Sequence, residues 1–275
     1  MDWSLVLASQ GISATIERWD PEGWALLVEP DEHDVALRSI SLYQQENRKR
    51  SNPIRVEWSK TPFHRGVIYW CMLLVLVFEI DKLLLPSLGA LAQFDSTAVT
   101  QGEWWRLVSA VFLHADLPHL ISNLTTGFVL VGLAMGAFGA GCALLSTLLA
   151  GAIGNLCGLF LYNAPYHGLG ASGMVMGALG MISVLSLRDS NQLHSGLKFA
   201  LKGILGGILL LVILGTNPSS DVIAHVGGFF GGIGIGGVLT LLPGSPDRNR
   251  RLQRTSWVVL TVILAAVTCL IAAGL

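Results

Sequence analysis

The amino-acid sequence predicts an all-α polytopic membrane protein preceded by a small α+β module, and three observations carry that expectation. Of its 275 residues, 52% are hydrophobic and only 13% are charged, against a charged share of about 25% in ordinary soluble domains. The mean hydropathy is +0.60, so there are too few charges to coat a surface and lipid is the expected solvent. The apolar residues gather into seven runs, each near the ~20 residues that a spanning helix needs. A formal net charge of −1 gives no reason to expect nucleic acid as a partner.

Taken in order, residues 1–50 read as a soluble αββα-like module on the cytoplasmic side. A short apolar helix over 3–10 stops at Gly11. Two strands, 12–18 and 24–29, are joined across Pro21-Glu22-Gly23, and a helix runs from Asp31, a suitable N-cap, through Val35, Leu37, Ile40 and Tyr43. A unit of this size barely holds its own core. Either a regulatory or interaction role or a plain appendage fits it. Its mixed polar and apolar start is not that of a cleavable signal peptide. A basic linker, 51–66, follows, so that Arg48-Lys49-Arg50, Arg55, Lys60 and Arg65 precede the first apolar run.

The spans are expected at 67–86, 119–139, 141–162, 171–187, 197–215, 222–242 and 257–274. The first is interrupted at its far end by Glu79, Asp81 and Lys82. Segment 87–118 is long and half apolar, and its Trp104-Trp105-Arg106 cluster is of the kind expected at the membrane interface. Residues 67–242 make a six-span core, and 243–275 a basic loop and a seventh span. One side of the membrane receives Arg48 to Arg65, then Arg188, Lys198 and Lys202, then Arg248, Arg250, Arg251 and Arg254; the other receives only Lys82 and Arg106. The N-terminus is therefore expected in the cytoplasm and the C-terminus outside, with loops 87–118, 163–170 and 216–221 facing outward. The plasma membrane of a bacterium is the expected setting. Cys71, Cys142, Cys157 and Cys269 all fall inside apolar runs without metal-ligand spacing, so they read as small hydrophobes, with no metal and no cofactor expected.

Polar side chains inside these spans are few, and burial in lipid makes each a functional candidate. They are His114, His119 and Asn123 near the start of span two, Ser172 at the start of span four and His225 near the start of span six. Singly, each has a bland reading. A membrane serine bonds back to its own helix, a histidine near a helix end is interfacial, and an asparagine glues helices together. Depth argues against coincidence. At about 1.5 Å per residue, Ser172 lies about 24 Å above Arg188, His225 about 27 Å above Pro243, and Asn123 and His119 about 24 and 30 Å above the Gly139–Gly141 turn. Three helices thus bring a hydroxyl, two imidazoles and an amide to one slab of a core about 30 Å thick. Those groups are a nucleophile, a base and oxyanion donors. Small residues at i, i+4 spacing beside Ser172 and His225 permit the close approach that a short Ser–His hydrogen bond requires.

Trp105-Arg106, the run His114, His119, Asn123, the G-x-S-G of Gly170 to Gly173, and Ala224-His225 followed by Gly228 and Gly232 together resemble the rhomboid family of intramembrane proteases. The resemblance covers about two-thirds of the chain, roughly 66–242. It implies a rhomboid-like six-helix core, Ser172 as nucleophile, His225 as base, and an oxyanion and substrate site of His119, Asn123, Gly170, Gly173 and the Ser172 amide. His114 would support the site. Two positions depart from the family pattern: Met135 stands where many members carry a glutamate, and Met176 where many carry an aromatic packed on the histidine. A thioether also packs on an imidazole edge, and no reacting group is lost. The chemistry reads as a Ser–His dyad, with Asp221 either orienting the imidazole or simply starting its helix. Transmembrane proteins in the bilayer are the implied substrates. A non-proteolytic rhomboid-like chaperone or client-recognition protein is the main alternative. A solute transporter fits less well, because the polar groups cluster at one face and not at the midplane.

Overall fold

The computed structural model describes residues 2–19, 23–48, 63–163, 165–185, 193–215, 221–242 and 244–274, and the chain divides into two units, Met1–Arg55 and Val56–Leu275. The basic stretch 49–62 and two residues used to gauge depth, Arg188 and Pro243, lie outside the described residues.

In the first unit, α1 (Asp2–Ser9) leads to a hairpin of β1 (Thr15–Trp19) and β2 (Gly23–Leu27), then α2 (His33–Arg48). Gly11, at φ +75°, ends α1. Its N–H bonds the Ala8 carbonyl at 3.1 Å and the Ile12 N–H bonds that of Leu7 at 3.0 Å, a double closure that leaves Ile12 packed on Leu7. Leu7, Ile12 and Ala36 form the small core, while Trp24 is 74% exposed. The second helix starts at His33, past a turn that contains Asp31.

The second unit begins with α3 (Val67–Glu79), which widens into a π turn, Ile80–Leu84. There Asp81 is buried and paired with Lys82 at 2.8 Å. A loop of short elements follows: α4 (Leu88–Ala92), β3 (Phe94–Asp95), α5 (Ser96–Thr100), α6 (Arg106–Ser109) and a 3-10 turn, Ala110–Phe112. Then come α7 (Leu117–Phe138), α8 (Ala140–Leu161), β4 (His167–Gly168), α9 (Ser172–Ser183), α10 (Leu193–Gly215), α11 (Val222–Leu241) and α12 (Arg250–Gly274).

Helices α7, α8, α11 and α12 are each long and apolar enough to cross a membrane. The fourth predicted run is shorter than expected. α9 has 12 residues and ends at Val184, about 18 Å at 1.5 Å per residue. The reason lies in its place: Gly173 to Met181 are all buried, so α9 is the central post of the unit, sheathed by α7, α8, α10 and α11. Met135, where the family pattern offers a glutamate, is buried in the main apolar core.

Candidate active site

Two helices meet at the post with almost nothing between them. A Cβ at Gly228 of α11 would fall on the Gly173 carbonyl of α9, one at Gly232 on the Gly177 carbonyl, and one at Gly180 on the Phe229 carbonyl. On the other side a Cβ at Gly154 of α8 would strike the Ala224 carbonyl. Lipid gives helices no hydrophobic reason to associate, so contact rests on backbones that pack closely, and small residues supply it. The same packing carries Ser172, first residue of α9, and His225, in the first turn of α11, to one end of the unit.

The loop before α9 is fixed with equal closeness. Gly170 has φ +129°, and its N–H bonds the Ala110 carbonyl at 2.9 Å. The His119 ring stands where a side chain would project, its Nε2 2.7 Å from an ideal Cβ, so only glycine fits. Asp116 caps α7 by accepting the His119 N–H at 2.8 Å, and the Asn123 side-chain amide donates to the His119 carbonyl at 3.0 Å. His114 is 1% exposed and packs edge-on against His119, with centroids 5.2 Å apart. Neither of its ring nitrogens has a hydrogen-bond partner of good geometry among the described residues.

Ser172, His225, His119 and Asn123 all line one cavity of about 520 Å³, with Met176 and Val175 on its wall and Tyr166, His167 and Asp221 toward its mouth. His225 and Met176 are each 3% exposed. Gly173 is not part of the lining, because it is spent on packing against Gly151 and Ala224. Asp221 is a cap: its Oδ1 accepts the Ala224 N–H at 2.9 Å.

The cavity's rim is tied together by the segment that reads from sequence as a plain loop. Asp95 caps α5 through the Thr97 and Ala98 amides at 2.8 and 3.1 Å, and β3 pairs antiparallel with β4, Phe94 opposite Gly168. Arg106 is turned into the protein and not out from it. It is 7% exposed, and its guanidinium bonds Glu103 at 2.6 Å and the carbonyls of Ala90 and Gln93 at 2.8 and 3.0 Å. Satisfying loop carbonyls with a fork of donors is what lets an irregular backbone persist out of water. The spacing Glu103-x-x-Arg106 was the available signal for this pairing.

A sequence profile of the Rhomboid domain matches residues 101–242, just over half of the chain. Among curated relatives, the chain is 29% identical over 232 residues to "Rhomboid protease GluP" of Bacillus subtilis (strain 168), covering 82% of this chain and 44% of that protein. It is 33% identical over 184 residues to "RHOMBOID-like protein 7" of Arabidopsis thaliana, covering 60% and 54%. It is 30% identical over 137 residues to "Putative rhomboid protease YdcA" of Bacillus subtilis (strain 168), covering 49% and 66%. The chain spans about half the length of the curated relatives it matches. The matched stretch holds every group that lines the cavity from α7, α9 and α11, and this integral membrane protein belongs to the rhomboid family.

Proposed function

We propose that the chain is an intramembrane serine endopeptidase that cuts transmembrane substrates near the outer ends of their helices. The observation that carries this reading is the single cavity into which three helices deliver Ser172, His225, His119 and Asn123. Similarity to relatives named as rhomboid proteases supports it. In the proposed reaction Ser172 Oγ attacks the scissile carbonyl carbon while His225 takes the hydroxyl proton. The resulting oxyanion is met by His119, Asn123 and the Ser172 amide. Collapse breaks the C–N bond, and His225 passes its proton to the leaving amine. Water then attacks the acyl ester, again giving up a proton to His225, and releases the new carboxylate and free Ser172. A helical substrate has to unwind locally first, because its carbonyls are committed to bonds within the helix and unpaired groups in lipid cost several kcal/mol each.

In purified protein, Ser172→Ala and His225→Ala should each abolish cleavage of a single-span substrate and labelling by a fluorophosphonate, with unchanged expression. Full activity in either inserted variant would overturn the dyad. A wild type that never labels would favour the chaperone alternative, to which the name "RHOMBOID-like" of several relatives is open. The Lys and Arg distribution further orients the chain with its N-terminus in the cytoplasm. A reporter after Leu275 that reads internal would mean that 257–274 does not span or that the first span is misassigned.

A further inference from the structure

Just beyond the reacting groups lies a second polar cluster that the reaction above does not use. Tyr162, at the C-cap of α8, donates its hydroxyl to Asp221 Oδ1 at 2.8 Å, and the same oxygen accepts the Ala224 N–H. The rings of Tyr162 and Tyr166 stack with centroids 4.2 Å apart. The Tyr166 hydroxyl and Asp221 Oδ2 converge over Gly168, 3.4 and 3.6 Å from where its Cβ would stand. The backbone of Tyr166 is held in turn by Ser96, whose N–H bonds the Tyr166 carbonyl at 3.0 Å and whose Oγ accepts the Tyr166 N–H at 2.9 Å. Burial first, then the Asp221 carboxylate, raise the Tyr166 hydroxyl above its ordinary value.

A helix cap needs one acceptor, and serine, threonine or asparagine supplies it equally well. Here one carboxylate oxygen, Oδ1, accepts from both Tyr162 and Ala224 while Oδ2 faces the Tyr166 hydroxyl, and both tyrosines belong to the stretch that leads into Ser172. The Asp221 carbonyl also accepts the His225 N–H at 3.0 Å, so displacement of Asp221 is passed directly to the turn that presents the imidazole. We infer that Asp221, clasped by Tyr162 and Tyr166, is a positioning residue that sets the height and rotation of His225 relative to Ser172. The inference rests on the Ser172–His225 reading proposed above.

The test uses purified full-length protein and three readouts: the rate constant for fluorophosphonate labelling, kcat and KM on a single-span substrate, and thermal unfolding. A misplacement of about 1 Å costs roughly 10²-fold in rate, so Asp221→Ala should lower the labelling rate constant and kcat together by ~10–100-fold with KM unchanged. Tyr162→Phe removes one hydrogen bond and should cost ~3–10-fold. Asp221→Asn keeps an acceptor for Ala224 and Tyr162, and should recover to within about threefold of the wild type. A lower unfolding temperature with unchanged labelling per folded molecule would make the clasp merely structural and overturn the inference. So would an Asp221→Asn variant as slow as Asp221→Ala, since charge and not the clasp would then matter. If Asp221→Ala does not fold, Tyr162→Phe at wild-type rates overturns it alone. A wild type that does not label removes the dyad reading and this inference with it, an outcome distinct from labelled protein with unaffected variants.

Discussion

Helices α11 and α12 are both apolar and both long enough to span a bilayer, yet they are held in opposite ways. In α11, 44% of the apolar stretch is buried, and four of the buried residues are glycines, Gly227, Gly228, Gly232 and Gly236. In α12 only 6% is buried, although it is the more apolar of the two. It is tied to the turn between α7 and α8 by Gln253, whose Oε1 accepts the Gly141 and Cys142 amides at 3.0 and 3.3 Å while Nε2 donates to the carbonyl of Phe138 at 2.8 Å and to that of Pro246, just ahead of α12, at 3.0 Å. In water the more apolar helix is the more buried. In lipid that order reverses, because the bilayer accepts leucine and valine at no cost while close backbone contact needs the absence of side chains.

The sharpest way to break this contrast is to put a side chain where α11 has none. Gly228→Leu drives a branched side chain into the Gly173 carbonyl, and backbone cannot turn aside as a rotamer can. The cost should exceed the ~1–3 kcal/mol of ordinary overpacking, seen as loss of both the thermal transition and fluorophosphonate labelling; a stable, labelled variant would mean that α9 and α11 do not touch as described. Next in size, Asn123→Ala and His119→Ala should slow turnover by about 10²–10³-fold while leaving folding intact. Wild-type rates in both would remove α7 from the site. Gln253→Ala leaves four backbone groups without their partner and should lower stability by ~1–3 kcal/mol, with kcat within twofold of wild type. A drop in kcat at full stability would show that α12 reaches the cavity's geometry. Smallest of all, Val262→Ala, at a residue of α12 that is 60% exposed, should change stability by less than ~0.5 kcal/mol. A larger loss would mean that this face packs against another helix and not lipid.

The same physics decided what could be read from sequence. Long helices such as α7 and α8 announce themselves because a bilayer demands an unbroken apolar run of fixed length. Ser172, His119, Asn123 and His225 stood out because polar groups are scarce at that depth. The short helices α4, α5 and α6 were not legible. Four or five residues show no periodicity, and what stabilises them is distant: Arg106 reaching Ala90, Ser109 reaching Ala92. Gln253 was hidden for a similar reason. Among Arg250, Arg251 and Arg254 it looks like one more solvated side chain, and three of its four partners lie 111–115 residues earlier. Tyr162 gave no signal at all, since a tyrosine at a helix end is ordinary in membrane proteins.

That distance between Gln253 and its partners has a consequence for biogenesis. The turn between α7 and α8 is complete in the chain long before α12 exists, so during synthesis the Gly141 and Cys142 amides and the Phe138 carbonyl have to be satisfied by something else. At the end of a helical hairpin, water can serve. The arrival of α12 then exchanges that water for one glutamine, so that a helix translated much later closes an early turn. Assembly of this unit should therefore include a discrete late step, the docking of α12 onto the helices before it, and a ribosome-bound chain lacking residues 250–275 should hold those helices with that turn still hydrated.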